Sequence, residues 1–584
     1  MTKRLLWLRL FSLSLLTVLL ISCGEDGLGV ARTETPALSL STPTFIPLPP
    51  DASIAARIRA RGYLLVGARY DDDPFGIVDG QGDLIGFDVE LAREFAARWL
   101  GDAEAVRFVQ VTDASVSERV EMGQVDLVIG ALSPNQSTAR VMDFSAGYYY
   151  DGLSLVVRST PSISDTITIN GPPDLDGVAV GVVEDSDAEA PLLRAAGGAV
   201  PQVVFYPDYF SAVAGLESGV LGAVVGPRRT LERLTANSGS LGLTPRFTRE
   251  PYVIGMPKND GYFLDLVNVT LMNIVNDGTF SRLLGKWLPD KAPPELEIWA
   301  GTSRLSFDGL GDTLPPLPAT IQGIEGRGYL MVGLADDQLP FDDFDANGVA
   351  RGFEAELARV LASRWLGDVA AVQFVRHTEE SGVAALQTGQ IDLLAVHLPH
   401  TLPRDDEIDF SQTIYQGGIG LLVSAASGIN SLAGLNGGAV AVPGGGITAQ
   451  VVQQAAAQTG IVVSVQTVDD VNGALTGVAE GRYSAYAGWR SGLLNLAYTN
   501  SGFLVLDERL SRRPIALGLR QNDAAFRDLV NFTLQELAAE GRFAALYDDW
   551  FGTDPPYPVE IWPGAPYRPL RLNRSPLVVP TAAP

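Results

Sequence analysis

Hydrophobic and polar positions alternate with two different periods along this chain. The run YLLVGA at 63–68 is short and apolar, as in a buried strand, and VRFVQV at 106–111 alternates with a period of two. Between them, the segment 88–100 places large apolar residues such as Phe95 on one helical face and Glu90 on the other. Strands separated by helices predict βαβ units, mostly parallel sheets and an α/β fold.

The same pattern occurs twice. RGYLLVG at 61–67 recurs as RGYLMVG at 327–333, an offset of 266 residues. At the same offset GFDVELAREFAARWLGD meets GFEAELARVLASRWLGD, with 12 of 17 residues identical. A repeat of this length predicts two homologous domains. We place the first repeat at 52–300 and the second repeat at 318–562.

The N-terminus has the pattern of a secretion signal. A basic start precedes an apolar and hydroxylated run at 10–21, which ends in Leu-Ile-Ser before Cys23. This ending resembles the bacterial lipobox, so residues 1–23 are predicted to be a lipoprotein signal peptide with Cys23 as the lipidated residue. The Pro/Thr/Ser-rich segment 24–51 is then a tether to the outer face of a cell membrane, in a periplasm or at the cell surface. An ordinary signal peptide with a chance cysteine is the alternative.

Composition narrows the function classes. The net charge of −26 would repel phosphate backbones, which makes nucleic acid an unsuitable partner. With 46% hydrophobic residues the chain can build full cores, and its single cysteine excludes an intramolecular disulfide.

Four segments of each repeat resemble the family 3 extracellular solute-binding proteins of ABC importers, the amino-acid-binding type. They are Pro-Phe with GFDVELA, then GQ-V/I-D, then DFS, and a C-terminal helix pair; in the first repeat they include Pro74, Phe75, Gly86, Gly123, Asp143, Asn268 and Trp287. The resemblance implies tandem periplasmic-binding-protein type II domains, each of two α/β lobes joined by a two-strand hinge.

The same resemblance implies a role and partners. Such domains close on a small-molecule ligand and deliver it to an ABC permease, without a cofactor and without catalysis. Residues 301–317 become a linker, whose Gly and Pro content predicts a short flexible joint, and 563–584 a Pro-rich tail.

In the second repeat, the resemblance assigns the ligand carboxylate to Arg404 of Thr401-Leu402-Pro403-Arg404. A surface arginine paired with Asp405 or Asp406 is the alternative. The glycine turn before Thr448 would present backbone N–H groups to the same carboxylate. Trp489 replaces the family's amine-binding acid, and it either stacks on a flat or cationic ligand or belongs to the core.

Other positions depart from the family pattern. Thr138 stands in the first repeat where the second has Arg404, and Arg140 is displaced by two residues. Hydroxyl and amide groups then remain as ligand contacts, with aromatic residues that could line the clefts: Ser133, Asn135, Thr138, Ser186, Tyr70 and, in the second repeat, Phe341. Pro227 replaces the amine-binding acid. Asp72 and Gln338 replace an aromatic residue, and the cluster 71–73 is either a solvated loop or a holder of a cationic ligand.

Two further function classes remain open. A ligand-sensing or partly degenerate binding scaffold suits the first repeat, and a dehydratase-like enzyme on the same fold is less favoured because no catalytic triad or metal-ligand cluster stands out. His397 and His400 form the one pair with metal-ligand spacing, which is too few ligands for a closed site.

We expect the second repeat to bind a carboxylate and Arg404→Ala to abolish that binding. A thermal-shift panel of amino acids, polyamines, opines, dicarboxylates and sugars on each repeat measures this, because a ligand at 100 times its Kd stabilises by about 2.7 kcal/mol. Equal binding by the variant would contradict the assignment.

Overall fold

The computed structural model describes most of the mature chain. The described residues are 51–159, 168–184, 186–289, 291, 294, 296–336, 339–553, 555 and 559–572. The predicted signal peptide with Cys23, nearly all of the tether, Asp185, Gln338 and the end of the tail lie outside them. Within this described part, no helix is both long and apolar enough to cross a membrane.

The first repeat contains fourteen named strands and eight helices. Its strands are β1 Leu64–Ala68, β2 Asp71–Asp72, β3 Gly76–Val78, β4 Leu84–Ile85, β5 Val106–Gln110, β6 Leu127–Leu132, β7 Met142–Phe144, β8 Tyr149–Asp151, β9 Leu153–Arg158, β10 Ala179–Val183, β11 Gln202–Tyr206, β12 Ala223–Pro227, β13 Leu241–Leu243 and β14 Glu250–Pro257. Its helices are α1 Ile54–Arg61, α2 Phe87–Leu100, α3 Val116–Glu121, α4 Glu189–Ala196, α5 Tyr209–Glu217, α6 Arg228–Thr235, α7 Gly261–Asn276 and α8 Thr279–Trp287.

The second repeat follows the same plan. Its strands are β15 Leu330–Leu334, β16 Asp343–Phe344, β17 Ala350–Arg351, β18 Val372–Arg376, β19 Leu393–Ala395, β20 Asp409–Gly417, β21 Ile419–Ser424, β22 Ala439–Pro443, β23 Ser464–Val468, β24 Ala485–Trp489, β25 Phe503–Val505 and β26 Arg513–Leu519. Its helices are α9 Thr320–Arg327, α10 Phe353–Leu366, α11 Glu379–Gln387, α12 Leu402–Asp405, α13 Thr448–Thr459, α14 Val471–Ala479, α15 Arg490–Thr499, α16 Ala524–Ala539 and α17 Arg542–Phe551.

Each repeat is built from two α/β lobes. Lobe A carries the sheet β5-β1-β6-β14-β7 in the first repeat and β18-β15-β19-β26-β20 in the second. Lobe B carries β11-β10-β12-β9-β13 and β23-β22-β24-β21-β25. In the first repeat, β14 of lobe A and β9 of lobe B run antiparallel to the strands beside them. These two strands carry the chain between the lobes. The predicted α/β fold and two-strand hinge are confirmed, whereas the sheets are mixed rather than mostly parallel, with two parallel and two antiparallel pairings along each five-strand order.

The repeated motifs meet in the core of lobe A. Gly86 and Gly352, with φ of 142° and 114°, pass so close to the carbonyls of Phe75 and Phe341 that a side chain would clash. The indole of Trp99 donates to Thr270 at 2.9 Å, and Trp365 makes the same bond in the second repeat. The GFDVELA helix is thereby joined to the C-terminal helix pair.

The linker is not the flexible joint that its composition predicts. The Phe307 ring stacks on Trp99 with centroids 5.4 Å apart, and Arg59 donates to the Leu310 carbonyl at 2.9 Å. Ala52 forms a backbone bridge with Thr313. Burial of the apolar residues therefore fixes this segment on lobe A despite its glycines and prolines.

A short segment at the end of each repeat, around Ala300 and Pro563, contacts the other repeat. The Leu402 N–H donates to the Ala300 carbonyl at 3.0 Å, beside a parallel bridge from Ala300 to Thr401. In the opposite direction, the Gln136 N–H donates to the Pro563 carbonyl at 2.9 Å. Since Ala300 and Pro563 occupy matching positions, the repeats exchange these segments reciprocally.

Glycine is required where the exchanged segments cross. Gly301 has a φ of 95°, and a Cβ there would lie 2.6 Å from Pro403. The matching Gly564 has a φ of 83°, and its Cβ would meet Asn135 and Ser137. Only a residue without a side chain fits this close approach.

A buried ionic bridge holds the interface together. Arg527 donates to Asp409 of its own repeat at 2.8 Å and to Asp143 of the first repeat at 2.7 Å. Lys258 of the first repeat pairs with Asp143 and with Asp528 of the second. Burial raises the pKa of Asp409 to about 7 although Arg527 opposes this. Charges so far from water are stable only while they remain paired.

We expect Arg527→Leu to lower the unfolding free energy by about 3–5 kcal/mol at pH 8, because Asp143 and Asp409 would lose their shared partner. The loss should shrink at pH 5, where the unpaired carboxyls can take up protons. Calorimetry at both pH values measures this. Leu264→Met, at the matching position of the first repeat, is the control. Equal destabilisation at the two pH values would contradict an ionic origin.

Candidate functional site

Arg404 lies at the edge of lobe A in the second repeat, on α12. Its Nε and Nη2 donate to Glu379 at 3.0 and 2.9 Å, and its Nη1 donates to Glu407 at 3.2 Å. Burial lowers the pKa of Arg404, but the two glutamates outweigh it and raise the pKa overall. The partners are therefore neither of the aspartates suggested by sequence proximity. A ligand carboxylate would have to compete with Glu379.

A cation and an aromatic ring from other elements join this group. Arg513 begins the hinge strand β26, and its guanidinium lies 4.5 Å from the ring centre of Trp489 in lobe B. The Trp489 side chain is exposed, so it does not belong to the core. Glu379 favours the charged form of Arg513, although burial lowers the Arg513 pKa overall. Arg404, Glu379, Arg513 and Trp489 are hereafter the junction cluster: Arg404 is bonded to Glu379 on lobe A, Arg513 of the hinge strand lies over Trp489 of lobe B, and the charge of Glu379 acts on both arginines.

The remaining predicted residues of the second repeat lie elsewhere. Thr401 is held by its backbone at the interface with the first repeat. Phe341 is buried beneath His397, with ring centres 3.8 Å apart, and is thus a core residue rather than an open cleft aromatic. The Thr448 side chain is buried at the start of α13. The structure brings only Arg404 and Trp489 of the predicted set into one group.

The first-repeat candidates form no comparable group. Thr138 donates to the Asn135 carbonyl at 3.0 Å, inside a short 3-10 turn next to the inter-repeat contact. Arg140 lies at the end of the same 3-10 turn as Thr138, where it is exposed and pairs with Glu121 at 3.2 Å. Ser133 is half-buried at the end of β6.

The other two candidates in this repeat have local roles. The Ser186 hydroxyl donates to the Val183 carbonyl at 2.7 Å within its own turn. Tyr70 is half-buried beyond β1, and burial raises its pKa. Neither contact points to a ligand.

The two lobe junctions differ in charge. Arg404, Arg513 and Trp489 of the second repeat stand where the first has Thr138, Glu250 and Pro227. Burial, with Asp151 and Asp187 nearby, raises the pKa of Glu250 to about 7. The first junction is therefore acidic where the second carries two guanidinium groups.

A strained residue ends the third strand of lobe A in both repeats. Ala131 and His397 have φ of 49° and 53°, and their N–H groups donate to Asp88 and Glu354 at 2.7 Å. These acids belong to the GFDVELA and GFEAELA motifs. No sequence motif indicates this role, because donor and acceptor are 43 residues apart.

His397 and His400 have different surroundings and form no common site. His400 lies between the rings of Trp299 and Phe410 at the inter-repeat contact and pairs with Asp405 at 3.0 Å. His397 packs instead on Phe341. Among the residues that the structure describes, no group of three or more His, Cys, Asp or Glu could hold a metal ion.

A cavity of about 160 Å³ lies between the two repeats. Its walls include Asp143, Asp409 and Arg527 of the ionic bridge and the indoles of Trp299 and Trp562. It adjoins that bridge, so it belongs to the inter-repeat interface.

A family model matches both repeats of the chain. The model describes bacterial extracellular solute-binding proteins, family 3, and matches residues 64–290 and 330–553. Similar proteins include an ABC transporter glutamine-binding protein of Bacillus subtilis, 25% identical over 48% of this chain and 98% of its own length. An L-cystine-binding protein of Escherichia coli is 29% identical over 41% of this chain and 86% of its own length.

Solved structures resemble single repeats. A mutant of ArgBP from T. maritima is 28% identical, covers 41% of this chain and all of its own, and has a TM-score of 0.33. The ancestral amino acid-binding protein AncCDT-1, a precursor of cyclohexadienyl dehydratase, is 30% identical, with 40% and 100% coverage and a TM-score of 0.30.

We expect Glu250→Gln to stabilise the protein at pH 8 and to flatten its stability between pH 5 and 8. The pKa of Glu250 is raised to about 7 in the folded protein. The stability that its protonated form contributes is therefore complete below the pKa of the unfolded state, and it is lost as the pH rises through about 7. The expected gain at pH 8 is about 2 kcal/mol. Thermal unfolding across this range measures it, with the exposed Glu217→Gln as control. A parallel shift at all pH values would refute the assignment.

Proposed function

Because the chain belongs to the bacterial extracellular solute-binding proteins of family 3, we propose that its second repeat captures a small amino-acid-like or carboxylate solute for an ABC-type importer. Lobe closure brings Trp489 of lobe B towards Arg404 of lobe A around the solute. Cys23 anchors the protein to the membrane through lipid, which keeps the receptor close to its permease. The solutes named for the relatives, glutamine and cystine, are of this chemical class.

The junction cluster is the observation that carries this proposal. It places two guanidinium groups, a carboxylate and an exposed indole where two lobes and the hinge meet. A guanidinium forks onto a carboxylate through parallel hydrogen bonds, so Arg404 suits a ligand carboxylate. The partly exposed Arg404–Glu379 pair is weak enough for a ligand to open.

Glu379 supplies the acid that this chain otherwise lacks. Trp489 occupies the position where the family pattern has an amine-binding carboxylate. An amino acid entering the junction would separate Arg404 from Glu379, with its carboxylate on the arginine and its ammonium on the glutamate. Each of these partly exposed charges then keeps a partner when lobe closure removes it from water, which is the condition for desolvating it.

A scaffold role is favoured for the first repeat. Thr138 and Glu250 replace the two guanidinium groups of the second repeat, so the first junction opposes a carboxylate. This repeat then contributes to the inter-repeat interface and leaves capture of the anionic solute to the second.

Arg404→Ala and Glu379→Gln in the full chain test the site. Arg404→Ala should weaken binding of every carboxylate ligand about 100-fold, the cost of removing one partner of a buried charge pair. Glu379→Gln should weaken the binding of amino acids about tenfold, because it removes the partner of their ammonium group. It should strengthen the binding of simple carboxylates, because it removes their competitor for Arg404. Isothermal titration with amino acids and dicarboxylates measures both effects.

Arg140→Ala is the matched control, because it removes a surface arginine near the corresponding turn of the first repeat. It should leave binding unchanged. Unaltered affinity in Arg404→Ala would reject the site, and identical responses of amino acids and simple carboxylates to Glu379→Gln would reject the role of Glu379.

A further inference from the structure

An arginine of lobe B is held by lobe A in the first repeat. Arg229, the second residue of α6, pairs through its guanidinium with Asp72. It also donates to the Tyr252 hydroxyl at 3.0 Å and to the Asp73 carbonyl at 3.4 Å. Only 13% of the Arg229 side chain is exposed. The bonds therefore cross from one lobe to the other at a nearly dry site.

Aromatic rings complete the enclosure. The guanidinium carbon of Arg229 lies 4.3 Å from the ring centre of Phe75 and 5.7 Å from that of Tyr252. The attraction between a planar cation and an aromatic face is strongest where water is excluded. A carboxylate, a hydroxyl, a carbonyl and a ring together match the donor fork and the flat face of a guanidinium.

The surroundings require a cation at this point. Asp151 accepts from the Arg229 backbone at 3.4 Å, and Glu250 lies in the same acidic junction. Burial alone would lower the pKa of Arg229, but Tyr252 and Asp72 outweigh it and raise the pKa. The sequence left open whether the acidic cluster at 71–73 holds a cation. In the structure this cluster does hold one, and the cation is the chain's own Arg229.

The second repeat lacks this arrangement. Ser491 stands where α6 of the first repeat has Arg229, and His397 covers the matching ring of Phe341. One bond between its lobes runs from the Asn495 amide to the Leu339 carbonyl at 2.7 Å. Within the described part of this repeat, Arg490 and Arg509 lie near the phenols of Tyr415 and Tyr547 rather than near a carboxylate of lobe A. The ionic contact is therefore a property of the first repeat and not of the fold.

We propose that the cleft of the first repeat is a guanidinium-binding site that the chain's own Arg229 fills, so that this repeat closes without an external solute. The inference goes beyond solute capture by the second repeat and does not depend on it. A side chain tethered beside its site has a high effective concentration, so it competes with free solutes for that site. Removing the side chain should expose a site for small guanidinium compounds.

The first test is rescue of Arg229→Ala in the full chain by methylguanidinium. We expect the variant to melt several degrees below the wild type and to recover most of that shift in methylguanidinium. Methylammonium and urea, which lack either the planar fork or the charge, should restore much less. The wild type should respond to none of the three, and the double variant Arg229→Ala, Asp72→Asn should lose the rescue.

Arg228→Ala is the matched control. Arg228 is adjacent on α6 but bonds only within lobe B, to Glu232 at 2.8 Å and to the Thr244 carbonyl at 2.7 Å. Its variant should be destabilised without rescue. The proposal is overturned if methylguanidinium rescues Arg229→Ala and Arg228→Ala alike, or rescues neither. It is also overturned if methylguanidinium stabilises the wild type as much as Arg229→Ala.

A second measurement does not depend on rescue. Spin labels at Val78→Cys in lobe A and Val200→Cys in lobe B, with Cys23→Ser, report the distance between the lobes; both valines are exposed. Arg229→Lys, which keeps the charge but not the fork, allows for poor folding of the alanine variant. We expect longer distances in either Arg229 variant and unchanged distances in Arg228→Ala. Unchanged distances in the Arg229 variants would overturn the proposal.

Discussion

The buried bridge from Arg527 to Asp143 and Asp409 is the constraint on which the arrangement of the repeats depends. Both aspartates belong to the DFS motif, and the arginine reaches across from one repeat to the other. A charge buried this deeply must keep its partners, so the repeats cannot separate without exposing it. The bridge also commits the loops after β6 and β19 to the interface. Asn135 and Thr401 therefore contact the exchanged segments.

The two repeats diverge where that interface does not constrain them. The motif residues that join α2 to α7 in the first repeat and α10 to α16 in the second make the same hydrogen bonds. The bonds from the indoles of Trp99 and Trp365 are an example. At the lobe junctions, in contrast, charge is reversed between Glu250 and Arg513. Packing tolerates few changes in a filled core, whereas a partly exposed junction accepts a new charge whenever a partner is within reach. The two lobe junctions are thus chemically different although the cores of the repeats match.

The sequence predicted the fold well because its signals are local and occur twice. Periodicity and the repeated motifs predicted two α/β domains, and the family resemblance implied the lobes and the hinge. The docked linker was missed because composition does not reveal that Phe307 stacks on Trp99. The sites were predicted only in part. Arg404 was recognised from its motif, but its partner Glu379 lies on another helix, 25 residues away. Asp72 was marked as a possible cation holder, yet the cation, Arg229, comes from the other lobe, 157 residues away.

Self-occupation of the first cleft would give the two repeats different roles in one assembly. If the tethered guanidinium outcompetes free solutes, the lobes of the first repeat stay closed at any solute concentration. Only the second repeat then changes its lobe angle when solute binds. The ionic bridge and the exchanged segments attach lobe A of the second repeat to the first repeat, whose shape would then stay constant. Closure of the second repeat must therefore move its lobe B. Trp489 lies on that lobe, so the moving part carries the aromatic side of the junction cluster towards Arg404.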